Sequence, residues 1–167
     1  MTRKYAITTA RILSDRALRE PCGQECVDWA ANMLEQGRGG RYLQMLASLA
    51  APLNSFEVAD LRDKALEEQE APPLEAKDAV LVYARERLSS ALSGDEDFLD
   101  VLADLKDLCI ADGYNRALYD FYKLFFAYSD LQSSTVQWYW PGATRENIEQ
   151  IVRERATRFT ESEESPC

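Results

Sequence analysis

The sequence predicts an all-α protein of seven or eight helices packed around one aromatic-rich helix at about residues 115–131. Glycines and prolines divide the chain into segments of helical length. Within most segments apolar residues recur at spacings of three and four, which is the period of a helix with one buried face. No useful stretch alternates with a period of two, so strands are not predicted.

Four helical segments are predicted before residue 70. A short basic segment at about 8–19 comes first, and the amphipathic segment 24–36 is followed by GRGG, which favours a helix end. Residues 41–51 form the next segment, because Pro52 stops it. Asn54 has the place of an N-cap for a helix at 55–69, with Glu57 three residues later as the returning acid.

Paired prolines in EEQEAPPLEAKD, at residues 67–78, are the best candidate for a linker, because proline resists both helix and strand. We predict a single helical domain over 1–167, with a possible soft boundary near 71 between halves 1–70 and 74–160. Residues 161–167 are predicted to be a frayed tail. Whether the two halves share one core stays open.

The next two helices are predicted at 74–92 and after Asp95, which has the place of an N-cap. The second of them carries apolar residues on one side and four aspartates at spacings of three, four and three on the other. These aspartates are called the acidic stripe here: Asp97, Asp100, Asp104 and Asp107. Like charges so placed weaken a helix, which indicates that something compensates for them.

The aromatic-rich helix and the loop after it, residues 114–140, hold 10 of the 17 aromatic residues. Apolar side chains cover most of its circumference, so the helix is predicted to be buried by its neighbours. The loop contains Trp138 and Trp140, and Thr144 is the predicted N-cap of the last helix. The two tryptophans are either a lid over the core or an anchor for a partner.

Composition narrows the possible functions. The chain has no histidine, which removes Ser-His-Asp and Cys-His catalysis and the common zinc sites, and it has no phosphate-binding glycine motif. We therefore expect no catalytic residue, no metal and no cofactor. The four cysteines are expected to be reduced thiols, because the chain is not a short secreted one, and we expect a cytoplasmic protein without a membrane span or secretory signal.

A net charge of −10 repels nucleic acid and anionic lipid, so neither is an expected partner. The same charge attracts a basic protein, although many proteins are acidic only for solubility. We expect the acidic stripe to bind such a partner electrostatically, with Trp138 and Trp140 as apolar anchors. A small carboxylate-dependent enzyme would need a deep pocket that raises an Asp or Glu pKa.

Two segments resemble a group of small, acidic, helical bacterial proteins of unassigned role: CVDWAANMLEQGRGGRYLQMLASLAAPLNSFEVADLRDKAL and YDFYKLFFAYSDLQSSTVQWYWPGATRENI. In size and charge such proteins are similar to immunity proteins of bacterial toxin systems. The resemblance implies a non-enzymatic inhibitor, of immunity or antitoxin type, that binds a partner protein directly. The alternative is a scaffold or regulatory subunit of a larger complex or homo-oligomer. The partner's identity and the oligomeric state stay open.

Overall fold

The structure is a computed structural model that describes residues 7–71 and 76–162. These ranges contain eight helices and no strand, so the predicted all-α class is confirmed. The helices are α1 (Thr9–Ala17), α2 (Gln24–Glu35), α3 (Arg41–Ala47), α4 (Ser55–Glu68), α5 (Ala76–Leu92), α6 (Phe98–Ala111), α7 (Tyr119–Ser133) and α8 (Ile148–Glu161). None of them is long and apolar enough to cross a membrane.

Two compact units divide the chain, Met1–Val80 and Leu81–Cys167, and the division falls within α5. They are called unit 1 and unit 2 here. The soft boundary near 71 stays a prediction, because the prolines of the expected linker lie outside the described residues. The same holds for residues 163–167 of the expected frayed tail.

Unit 1 is built around Trp29, whose side chain is fully buried among apolar residues of α1 to α4. Its indole Nε1 donates a hydrogen bond to Thr9 Oγ1 over 3.1 Å, so the polar edge of the ring is also satisfied. Cys22, Cys26 and, in unit 2, Cys109 are buried free thiols.

The glycines at 37–40 lie between α2 and α3, and Gly40 lies against the Glu68 side chain. The Glu68 carboxylate accepts hydrogen bonds from the backbone N–H groups of Arg41 (2.6 Å) and Leu43 (3.3 Å) at the start of α3. A Cβ added at Gly40 would lie 2.2 Å from Glu68 Oε2, so only glycine leaves room for this carboxylate. The protein's own anion therefore fills the N-terminal position of α3.

In unit 2, α7 packs against α6 and α8 through one face, which buries Phe121, Leu124, Ala127 and Leu131. The Phe121 ring meets Phe159 of α8 edge to face at 5.3 Å. The other side chains between residues 121 and 131 are half-buried and none is exposed, so the face opposite α6 and α8 is only partly accessible. The helix begins at Tyr119 instead of residue 115.

Two predicted caps are corrected. Asp97, and not Asp95, caps α6, since its Oδ1 accepts hydrogen bonds from Leu99 N (2.9 Å) and Asp100 N (3.4 Å). Thr144 does not begin α8 directly, because a turn intervenes and the helix starts at Ile148. The predicted Asn54 cap of α4 is confirmed by its hydrogen bonds to the first turn.

Candidate functional site

Trp138 is the most exposed aromatic side chain among the described residues, with 88% of its surface accessible. It lies in the segment 134–147 between α7 and α8, called the Trp138 loop here. The lid interpretation is therefore wrong for this residue, whose ring covers no core. Trp140, two residues later, is half-buried, and Lys123 Nζ lies 5.1 Å from the centre of its ring. The loop thus directs one indole outward and holds the other against α7.

Gln137 fixes the loop from within. Its side-chain Nε2 donates to the carbonyls of Trp140 (2.6 Å) and Ala143 (3.3 Å). Its Oε1 accepts from the backbone N–H groups of Tyr139 (2.9 Å) and Trp140 (2.8 Å). One amide side chain therefore supplies hydrogen bonds that the backbone groups of an irregular segment do not make with one another.

Two further side chains attach the loop to its flanking helices. Arg145 Nε donates to the carbonyl oxygens of Leu131 (2.9 Å) and Ser134 (3.0 Å) at the end of α7. Asn147, next to the start of α8, donates to the Gly142 carbonyl (3.0 Å) and accepts from Thr144 N (2.7 Å). Trp138 consequently projects from a backbone that is held at both ends.

A chain of ring contacts extends from this loop along the accessible face of α7. Tyr139 stacks on Phe126 at 5.0 Å, Phe126 meets Tyr122 at 5.1 Å, and Tyr122 stacks on Tyr119 at 5.4 Å. We call the six connected rings the aromatic row: Tyr114, Tyr119, Tyr122, Phe125, Phe126 and Tyr139. The row lies within one compact unit and is continuous with the Trp138 loop.

The aromatic row is apolar but not covered. Tyr114 is 54% exposed, Tyr119 43% and Tyr139 41%, and the neighbouring Val136 is 52% exposed. Burial raises the pKa of Tyr122, and the nearby tyrosines add to this shift, so the Tyr122 hydroxyl is uncharged at neutral pH. Aromatic residues are enriched at the centres of protein–protein interfaces, and exposed apolar patches often mark such sites.

The acidic stripe contains carboxylates in different environments. Asp97 is used as the cap of α6, and Asp100 is exposed. Asp104 forms an ion pair with Arg87 and accepts a hydrogen bond from the Tyr83 hydroxyl over 3.1 Å. Asp107 is exposed and pairs with Lys106 at 3.0 Å. Only part of the stripe is therefore available to steer a partner.

The repulsion among the aspartates of the stripe indicated that another group compensates for it. Arg87 of α5 supplies that positive charge. Its guanidinium binds Asp104 and also Glu96, whose carboxylate lies 2.9 Å away and is almost fully buried. Burial alone would lower the pKa of Arg87, but Tyr83 and the two carboxylates outweigh it and raise the pKa. This cluster joins α5 to α6 and has a structural role.

Lys106 brings the acidic stripe to the border of the aromatic row. Its Nζ lies 4.8 Å from the Phe125 ring centre and also pairs with Asp107. Burial raises the pKa of Tyr128 of α7, and the charges of Glu149 and Asp97 add to this shift. Asp97, at the N-terminal end of α6, therefore lies near Tyr128. Acidic groups of α6 thus lie beside an apolar surface of α7.

The described residues contain no group of three or more His, Cys, Asp or Glu side chains placed to hold a metal ion. In unit 2 a cavity of about 380 Å³ is lined by Leu92, Gln150, Arg153, Glu154, Thr157 and Arg158. Its one carboxylate, Glu154, accepts a hydrogen bond from Gln150 over 2.9 Å. The cavity offers no arrangement that identifies a reaction.

Comparison of the chain with protein-family models, with curated proteins and with solved structures finds no match. The functional assignment therefore depends on the geometry described above. Sequence reasoning singled out Trp138, Trp140 and the acidic stripe, but it missed Gln137, Arg145 and the exposed tyrosines. A glutamine directly before WYWPG was the available signal, because a long amide can bond to both sides of a turn.

Proposed function

We propose that this chain is a non-catalytic protein-binding module that holds a basic protein partner, and that it acts as an inhibitor of immunity or antitoxin type. Trp138 is the proposed anchor, the aromatic row is the apolar surface around it, and the exposed carboxylates of Asp100 and Asp107 attract the partner. The inhibitory form of the proposal follows from the resemblance in size and charge to immunity proteins.

The observation that carries the proposal is the exposure of Trp138 on a fixed loop. An indole that is 88% exposed contributes little to the fold, whereas Trp is the residue most enriched among binding hot spots. The four hydrogen bonds of Gln137 and the two of Arg145 support a preformed anchor. Such support for an outward-facing ring favours recognition over burial.

Charge determines which partner fits. The chain carries −10, and Asp100 and Asp107 are exposed on the helix that borders the aromatic row. A partner with basic residues around an apolar patch would place its cations near these carboxylates and its patch on Trp138. Nucleic acid is also rich in flat rings to stack on, but its phosphates would be repelled by this field.

The proposal is tested by comparing Trp138→Ala with Phe56→Ala. Phe56 is a matched control, because it is 86% exposed but belongs to unit 1. Each immobilised variant and the wild type is exposed to lysate from the native host, and bound proteins are quantified by mass spectrometry. We expect a basic protein that wild type and Phe56→Ala retain and Trp138→Ala loses.

The captured protein is then purified and titrated against each variant. Truncating a hot-spot tryptophan costs about 2 kcal/mol or more, so Trp138→Ala should weaken the Kd at least about 30-fold. Inhibition is tested by adding wild type and Trp138→Ala to the partner in an assay of its own activity. Equal affinity of wild type and Trp138→Ala would refute the anchor. Self-association that Trp138→Ala abolishes would instead favour the scaffold alternative.

A further inference from the structure

The tyrosines of the aromatic row carry hydroxyl groups that the protein does not use. Tyr114, Tyr119 and Tyr139 are each more than 40% exposed. Their hydroxyls make no hydrogen bond within the part of the chain that the structure describes. Tyr83 of α5 provides the contrast, because its hydroxyl donates to the Asp104 carboxylate over 3.1 Å. The row therefore offers polar donors beside its apolar rings.

The rings of the row also change plane along its length. Tyr122 meets Tyr114 and Phe126 edge to face, with angles of 74° and 67° between the ring planes. It stacks on Tyr119 with only 9° between the planes. Tyr119 and Phe126 lie seven residues apart on α7, which is roughly 10 Å along the helix axis. The row is therefore a stepped surface of about that length.

We propose that the aromatic row binds a proline-rich segment of the partner in the polyproline II conformation, with a basic residue beside the prolines. The proposal rests on the proposed function, since it names the segment through which the basic partner is held. It concerns unit 2 alone, where the row and the exposed carboxylates of α6 lie.

The free hydroxyls favour such a segment over a helix. A helix uses its backbone carbonyls internally, whereas a polyproline II segment has no internal hydrogen bonds and its carbonyls remain acceptors. Aromatic-lined surfaces are the usual sites for proline-rich segments, and here the exposed tyrosines also supply donors. Three residues of polyproline II extend roughly 9 Å, which matches the span from Tyr119 to Phe126. The described ranges contain no strand that a partner strand could join.

Charge selects the residue that flanks the prolines. Asp100 and Asp107 are exposed on α6, the helix that packs against α7. Lys106 pairs with Asp107 at 3.0 Å and lies 4.8 Å from the centre of the Phe125 ring, so a carboxylate and a ring of the row already hold a cation together. A basic residue is favoured over an acidic one, because the net charge of −10 repels a carboxylate.

The test uses three fluorescein-labelled peptides as probes. RPPPPPPR has the proposed conformation and charge, RGSGSGSR keeps the charge without the prolines, and EPPPPPPE keeps the prolines with the opposite charge. Fluorescence anisotropy against the full chain should show RPPPPPPR binding, and binding weaker by about tenfold or more for each of the others. The proposal is overturned if RPPPPPPR does not bind, or if either of the other peptides binds as tightly.

Variants assign the binding to the row. Tyr119→Ala should weaken RPPPPPPR binding by about fivefold or more, as truncation of a hot-spot residue does. Phe56→Ala in unit 1 is the matched control and should bind as wild type does. Tyr139→Phe keeps the ring and removes only the hydroxyl, so it should weaken binding about threefold and keep the wild-type circular dichroism spectrum. Wild-type affinity in either tyrosine variant would contradict the proposal.

This outcome is separate from that of the proposed function, because the peptide titration needs no captured partner. If RPPPPPPR does not bind while Trp138→Ala still loses a basic protein, only the inference about the segment is wrong. If a partner is captured, RPPPPPPR should displace it from the wild-type chain. A second copy of the chain on the row would give self-association that Tyr119→Ala abolishes and RPPPPPPR leaves intact, and that result would overturn the proposal.

Discussion

At the scale of single residues, the exposure of Trp138 depends on a neighbour that contributes no apolar surface. Gln137 lies beside it in the chain and satisfies two carbonyls and two N–H groups of the loop. Without this amide, these backbone groups would have to find water or each other. The residue that positions the proposed anchor is therefore a polar neighbour.

We predict that Gln137→Ala lowers the free energy of unfolding by about 1–3 kcal/mol, because partly buried backbone groups lose their partners. Amide hydrogen exchange at Tyr139 and Trp140 should accelerate, which mass spectrometry of peptides from the loop will measure. Gln132→Ala is the control, because Gln132 is an exposed residue of α7 and lies outside the loop. Unchanged exchange in Gln137→Ala would show that the loop is held by Arg145 and Asn147 alone.

At the scale of elements, α5 and α6 are joined by an ion-pair cluster instead of by apolar packing alone. Arg87 binds the almost fully buried Glu96 and the more accessible Asp104. A buried pair adds little net stability over an apolar pair, but removing one partner leaves an uncompensated charge. The consequence of a substitution therefore depends on which member is removed.

We predict that Arg87→Met lowers the free energy of unfolding by about 3 kcal/mol, because the Glu96 carboxylate loses its cation. Adding Glu96→Gln in the same chain should recover a large part of the loss. Asp104→Asn should cost less than about 1 kcal/mol, since that side chain is 38% exposed and water can replace its contact. Urea unfolding of the four proteins measures these differences, and equal losses for Arg87→Met and Asp104→Asn would contradict the assignment.

Asp120 connects α7 to α8 through Arg155, whose Nε lies 2.9 Å from its carboxylate, and it also pairs with Lys123 at 3.2 Å. Burial would raise the pKa of Asp120, but the hydrogen bonds from Arg155 and Lys123 outweigh it and lower the pKa. A carboxyl whose folded pKa is depressed stabilises the fold above its unfolded pKa. That contribution is lost as the pH falls through the folded pKa.

We therefore predict that Asp120→Asn is less stable than wild type at pH 7 and that the difference shrinks below about pH 4. Urea unfolding at both pH values gives the two differences directly. Asp130→Asn on the same helix serves as the control for a lost carboxylate. A difference that stays constant between pH 7 and pH 3 would show that Asp120 acts through packing and not through its charge.

The helical fold was predictable because the period of apolar residues depends on local sequence alone. The cap at Asn54 was predictable for the same reason, and confirmed. The partner of Asp104 was not, because Arg87 is 17 residues away and only the tertiary fold brings the two side chains together. Nor does WYW reveal which ring is exposed, since the burial of each indole depends on the path of the loop.

At the scale of the whole molecule, the net charge of −10 creates a field that no single carboxylate controls. Two like substitutions at different places therefore change the total charge equally but the local field differently. Comparing two such variants therefore separates attraction of a basic partner by the total charge from steering by the acidic stripe. Screening over about 10 Å at 0.1 M weakens both effects, so the two variants are best compared at low salt.

We predict that Asp100→Asn together with Asp107→Asn slows association with the basic partner several-fold at low salt and flattens the salt dependence of its on-rate. These residues are chosen because both are exposed, whereas Asp104 is held by Arg87 and Asp97 by its role as a cap. Stopped-flow binding between 20 and 300 mM salt, roughly spanning Debye lengths from 20 to 6 Å, measures both quantities.

The control for that experiment is Glu25→Gln with Glu35→Gln, which removes the same charge from exposed positions of α2 in unit 1. If steering belongs to α6, the control should retain most of the wild-type rate and salt slope, because its carboxylates belong to α2 and leave those of α6 unchanged. The dissociation rate should change little in either variant, since the carboxylates act mainly on encounter and Trp138 on retention. Equal slowing in both double variants would assign the attraction to total charge and remove the acidic stripe from the binding site.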